Sequence, residues 1–163
     1  MRKLLLIVDV QNGFINEVSA WLPAKLAEYI KKSDYTDVFA TRYINHTCTP
    51  CYVRLGWKGC MDENEQAICS ELDGLYTDVF DKDTYSAVTQ ELLTRIFVEN
   101  YDEIHVVGIA TTCCVVATVY ELFDKGYNVK AIPALCSVTG TLEGFQEAGR
   151  YMLKENVPCI EID

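Results

Sequence analysis

IHVVGIATTCCVVATVYELFDKGYNV, running from Ile104 to Val129, decides the fold of this chain, because it reads as strand, tight turn, helix and strand. Ile104 to Val107 is a short, largely β-branched run that Gly108 interrupts. From Cys114 onward Val116, Val119, Tyr120 and Phe123 recur at helical spacing, and Gly126 closes the helix as a C′ glycine. The intervening GIATTCC turn delivers a cysteine to the start of a helix. Backbone N–H groups and the positive end of the helix dipole favour S⁻ there, and such settings lower a cysteine pKa from about 8.5 to about 3.5–7.5. Position alone leaves two readings open, since unpaired cysteines are also among the most buried residues, and Cys113 and Cys114 could simply be small core side chains.

Working outward, Lys3 to Val8 is a continuous apolar run ended by Asp9, the pattern of a parallel strand buried on both faces. A helix is predicted from Pro23 to about Ser33 and a strand over Asp37 to Tyr43. The stretch from Ile44 to Asp62 is irregular and carries Cys48, Cys51, Cys60, Tyr52 and Trp57. Long insertions of this kind in compact domains are usually functional. Further strands are predicted at Asp78 to Phe80, Tyr127 to Ile132 and Pro158 to Ile162, with helices over Val88 to Val98, N-capped by Ser86, and over Leu142 to Lys154. This alternation predicts an α/β class fold, a three-layer Rossmann-like domain whose six-stranded, mainly parallel sheet is covered on both faces, and a single domain over residues 1–163. No G-x-G-x-x-G follows the first strand, which argues against a dinucleotide site.

The 163 residues carry a net charge of −10, which disfavours nucleic acid and anionic membrane as partners because both need a basic face. The apolar start is broken by Asp9 and predicts neither export nor a membrane span. Eight cysteines in such a chain are expected to be reduced thiols in the cytoplasm. Ligands in open parallel sheets sit beyond the strands' carboxyl ends, so Asp9, Lys82 and Cys114 converge there: an acid, a cation and a thiol. An ammonium stabilises a thiolate, and a carboxylate can move its proton.

IVDVQNGF at Ile7 to Phe14, KDTYSAV at Lys82 to Val88 and GIATTCCV at Gly108 to Val115, in that order, resemble the isochorismatase-like cysteine hydrolases, a family that includes nicotinamidases and carbamoyl-amide hydrolases. The resemblance implies a catalytic triad of Asp9, Lys82 and Cys114, with Cys114 rather than Cys113 as nucleophile. It also implies a cis peptide at Ile109–Ala110, an oxyanion hole from the N–H groups of Ala110 and Cys114, and a homo-oligomer, a dimer or tetramer, to which Trp21, Trp57 and the insertion would offer apolar surface. The expected substrate is a small amide or carbamoyl compound, contacted by Gln11, Phe14, Tyr43, Asn45, Trp57 and Tyr85. Nicotinamidases of the family carry a metal site beginning D-x-H after the second strand; here Tyr43 and Asn45 stand in those places, so no metal, no cofactor and not nicotinamide are expected. A zinc site from His46, Cys48, Cys51, Cys60 and Cys69 is the competing reading, but Cys60 and Cys69 form no second close pair. A thiol redox protein and a non-catalytic binding protein are the rival functions; redox chemistry at the cysteines leaves Asp9 and Lys82 unexplained.

Overall fold

The computed structural model describes residues 1–162. Strands β1 (Lys3–Val8), β2 (Asp37–Tyr43), β3 (Asp78–Lys82), β4 (Glu103–Ile109) and β5 (Val129–Ser137) form a five-stranded sheet in the order β3-β2-β1-β4-β5. Every pairing is parallel. The predicted sixth strand at 158–162 is absent among the described residues; Cys159 makes only an isolated parallel bridge to Ala131. Pro158 supplies no N–H, so the chain can touch the edge of β5 but cannot extend a ladder from its start.

Alternation along β1 sorts the core into two layers. Leu4, Leu6 and Val8 face helices α4 (Gln90–Glu99), α5 (Val116–Asp124) and α6 (Phe145–Asn156), meeting Leu92, Ile96, Val119, Leu122 and Leu153. Leu5 and Ile7 face α1 (Leu22–Lys32), meeting Leu22, Leu26 and Ile30. Each side chain buried in this way stabilises the fold by about 1.5–3 kcal/mol before entropy is counted. In α5 the buried residues are Val116, Thr118, Val119 and Leu122, whereas Phe123, expected on the apolar face, is half exposed.

Two helix starts differ from expectation. Thr89 rather than Ser86 caps α4, accepting from the Leu92 N–H, while Ser86 Oγ accepts from Val88 N–H in the preceding turn. Cys114 does not begin an α-helix: Thr111–Val115 form a π-helical turn that runs into α5. The irregular insertion contains two short helices, α2 (Pro50–Leu55) and α3 (Glu63–Gln66), capped by Thr49 and Asp62. No helix among the described residues is long and apolar enough to cross a membrane.

Candidate active site

Strands leaving β1 on either side open a crevice at the sheet's carboxyl edge, and three chain segments meet there. Asp9 follows β1 with φ +52°, a left-handed turn that aspartate tolerates. Lys82 ends β3, and Cys114 sits in the π-helical turn after β4. Close packing makes this possible at Gly108, where φ is +127° and an added Cβ would lie 2.1 Å from Val8 O. The Ile109–Ala110 peptide that follows is cis.

Lys82 Nζ lies 2.6 Å from Asp9 Oδ2 and 3.6 Å from Cys114 Sγ, and it also donates to the carbonyls of Thr84 at 2.8 Å and Tyr85 at 3.1 Å. Four acceptors thus compete for the three protons of an ammonium. The two carbonyls hold the amine in place, so Asp9 Oδ2 is paired chiefly by charge; it lacks a hydrogen bond of good geometry. Asp9 Oδ1 accepts instead from Thr41 Oγ1 at 2.7 Å. A second tether joins the Lys82 and Cys114 segments: Ala87 N–H donates to Thr118 Oγ1, which donates to Cys114 O at 2.6 Å.

Burial works against the Lys82 ammonium, but the neighbouring Asp9 and then Cys114 outweigh it and hold its pKa above the ordinary value. Burial, followed by the Asp9 charge, pushes the Cys114 thiol well above its usual range, and Lys82 only partly offsets them. The expected resting thiolate is therefore corrected to a thiol beside a carboxylate: a helix terminus lowers a cysteine pKa where water also reaches it, and Cys114 is 6% exposed. Cys113, by contrast, is exposed.

Above Cys114 opens a cavity of about 600 Å³, lined by Phe14, Tyr43, Trp57, Tyr85 and Ala110 among others. Phe14 stacks on Trp57 with ring centroids 5.6 Å apart, and Tyr43 tilts against the same indole. Two expected substrate contacts are elsewhere. Gln11 is fully buried; its amide donates to the carbonyls of Tyr43 and Gln66 and its oxygen accepts from Tyr43 N–H, so it stitches β1 to β2. Asn45 donates to the carbonyls of Trp57 and Gly59 and accepts from Thr49, which spends it on bracing the insertion. In both, the polar side chain that appears free in sequence is consumed by backbone the sequence does not place beside it.

Sequence reasoning missed Thr41, Cys51, Asn16 and Thr139. Thr41 was detectable as the lone hydroxyl of the buried strand segment VFAT, whereas the others line the cavity only through tertiary folding. Cys51 and Cys60 are buried in one cluster with Tyr43 and Cys69 in another, and no group of three or more His, Cys, Asp or Glu among the described residues could hold a metal ion.

Several solved structures share this architecture. The nicotinate complex of PnC1 from L. infantum superposes with a TM-score of 0.82 at 18% identity, over 98% of this chain and 92% of that one. Nicotinamidase PncA from Bacillus subtilis gives 0.77 at 18%, over 99% and 100%. N-carbamoylsarcosine amidase from Thermoplasma acidophilum gives 0.77 at 15%, over 99% and 96%. At such identities the likeness is one of fold. No curated protein matches the chain. The Isochorismatase domain model, however, matches residues 3–161, a span that takes in all five strands and the segments around Asp9, Lys82 and Cys114, and this chain accordingly belongs to the isochorismatase domain family.

Proposed function

We propose that this protein is a cysteine-dependent hydrolase that cleaves the C–N bond of a small amide or carbamoyl compound. The observation that carries the reading is the contact of Lys82 with both Asp9 and Cys114 beneath an open cavity. Family membership and neighbours named as nicotinamidase and N-carbamoylsarcosine amidase support it.

Asp9 removes the Cys114 proton as Sγ attacks the carbonyl carbon, and the C=O π pair moves to oxygen. The N–H groups of Ala110 and Cys114 hold that oxyanion; one donor of such a hole is worth about 10²–10³ in rate. Collapse re-forms C=O and breaks the C–N bond, with Asp9 returning its proton to the leaving nitrogen. A water then gives Asp9 a proton and attacks the thioester, and the departing sulfur takes the proton back. Lys82 offsets the sulfur's charge whenever it is unprotonated, which is why the raised resting pKa does not forbid attack.

Phe14, Tyr43, Trp57 and Tyr85 form the substrate walls in this reading. The active form is a homo-oligomer, for which exposed Trp21, Val53 and Leu55 supply apolar surface; Trp57 is engaged inside the cavity. A monomer mass by light scattering at micromolar concentration would refute that assembly. The chemistry is tested by ammonia release from a panel of primary amides and ureido compounds, with acyl-enzyme trapping by mass spectrometry. Wild type should release ammonia and carry the acyl group on Cys114, and Cys114→Ala should do neither. Full turnover by Cys114→Ala would overturn the mechanism.

A further inference from the structure

Asp9 has two carboxylate oxygens, and the fold holds them in different surroundings. Oδ2 lies 2.6 Å from Lys82 Nζ and has no hydrogen bond of good geometry, whereas Oδ1 accepts from Thr41 Oγ1 at 2.7 Å. The same hydroxyl accepts from the Asp9 N–H at 3.2 Å, so the main chain and side chain of one residue close a ring on Thr41.

This ring fixes the position of a proton. An amide N–H can only donate, so it occupies a lone pair of Thr41 Oγ1 and leaves the hydroxyl proton to find an acceptor of its own. Thr41 is 1% exposed in β2, with apolar Phe39 two residues earlier and Phe80 as its register partner in β3. Among the described residues its hydroxyl bonds to no group but Asp9. A proton placed on Oδ1 would have to point back at Oγ1 and would strand the Thr41 proton in a buried site, where a donor without a partner is costly. Oδ2 carries no such conflict, because Lys82 also donates to the carbonyls of Thr84 and Tyr85 and to Cys114 Sγ. Cys114 is in reach of this carboxylate: after burial, the Asp9 charge and a hydrogen bond to Asp9 push its thiol up.

We propose that Thr41 is a positioning residue that assigns the travelling proton to Asp9 Oδ2 in both halves of the hydrolysis, an inference that rests on the hydrolase reading. In the first half the Cys114 S–H bond breaks, its electron pair stays on sulfur to form the bond to the carbonyl carbon, and the proton joins Oδ2. That proton passes to the leaving nitrogen as the C–N bond breaks. In the second half water gives a proton to Oδ2 while its oxygen attacks the thioester, and the departing sulfur takes that proton back. Oδ1 accepts from Thr41 throughout, so the carboxyl group does not turn between steps. Thr41 does not line the cavity and reaches the chemistry only through Asp9.

The test measures kcat and KM by ammonia release from propionamide, benzamide and N-carbamoylglycine, using whichever of them wild type turns over best. Thr41→Val keeps the shape and removes the hydroxyl, so kcat should fall by about 10- to 100-fold, the worth of a hydrogen bond to a charged group, with KM unchanged. Thr41→Ser should restore it. A packing defect would slow any background, whereas adding Thr41→Val to Asp9→Asn, in which no carboxylate carries the proton, should cost no further turnover. Denaturation midpoints establish that each variant is folded; if Thr41→Val is not, Thr41→Cys, whose S–H is a weak donor, takes its place with a loss in the same direction. Wild-type turnover without the hydroxyl, a Thr41→Ser variant as slow as Thr41→Val, or losses that multiply in the Asp9→Asn background overturn this inference and leave the hydrolase reading intact. Ammonia release by wild type from none of the three compounds removes the hydrolase reading itself, and this inference with it.

Discussion

Lys82 Nζ and Asp9 Oδ2 stand 2.6 Å apart with the two side chains 1% and 0% exposed, making a fully desolvated ion pair. Such pairs are seldom retained for stability, because desolvation offsets most of their attraction. Breaking one is nevertheless expensive. Lys82→Met should lower the unfolding free energy by about 3–5 kcal/mol, since it strands the Asp9 charge. In urea titrations the double variant Lys82→Met/Asp9→Asn should recover most of that loss, and additive losses would show that the pair is not coupled.

Asp9→Asn should move reactivity and turnover in opposite directions. The Asp9 charge is, after burial, the main reason the Cys114 thiol is pushed up. Removing it should lower that pKa and speed Cys114 alkylation at a fixed pH, whereas Lys82→Ala should slow it. Turnover in Asp9→Asn should fall by about 10²–10⁴, the range for a lost general acid–base group. In wild type, iodoacetamide should reach exposed Cys113 before Cys114, the reverse of the order that a helix-terminus thiolate would give. Peptide mass mapping over time separates the two neighbours.

Gly108→Ala should prevent folding. The new Cβ meets Val8 backbone at 2.1 Å, and the φ of +127° is one that side chains rarely adopt. Strain of the backbone alone costs about 1–3 kcal/mol, and two central strands would also have to part. Soluble protein with an unchanged thermal midpoint would contradict the close approach.

His105 should give the fold an acid-sensitive window. It is buried in β4, with Nδ1 2.7 Å from Tyr35 Oη and Nε2 2.9 Å from Glu103 Oε2. Burial lowers its pKa, and Glu103 only partly reverses this. The unfolded chain, with histidine near 6.5, then binds the proton more readily than the native state. The His105 contribution is therefore complete above about pH 6.5 and is lost as the pH falls from there through the lowered native value. His105→Gln should flatten the stability profile in that window, measured as denaturation midpoints between neutral and mildly acidic pH.

Much of this molecule is legible in its sequence, for reasons of period and position. Parallel strands buried on both faces must be continuous apolar runs, so β1 and β2 stand out, and β2 falls on the predicted residues Asp37–Tyr43. Asp9 follows such a run, Lys82 ends the shorter edge strand DVFDK and Cys114 lies in the turn after β4, and a parallel sheet brings those carboxyl ends to one edge whatever the loops do. Local pattern could thus bring Asp9, Lys82 and the Cys113–Cys114 pair to one edge, while the choice of Cys114 came from the family resemblance.

What tertiary structure decided is everything that depends on which partner a polar group finds. Gln11 and Asn45 look like free ligands in sequence, but the carbonyls of Tyr43 and Gln66 occupy the first and those of Trp57 and Gly59 the second. The sixth strand is a question of edge pairing, and at Pro158 the backbone lacks the donor that a ladder needs. The state of Cys114 turned on burial and on the Asp9 charge rather than on the helix it precedes. Local pattern fixes where a side chain leaves the backbone; solvation and pairing, which set its chemistry, belong to the assembled fold.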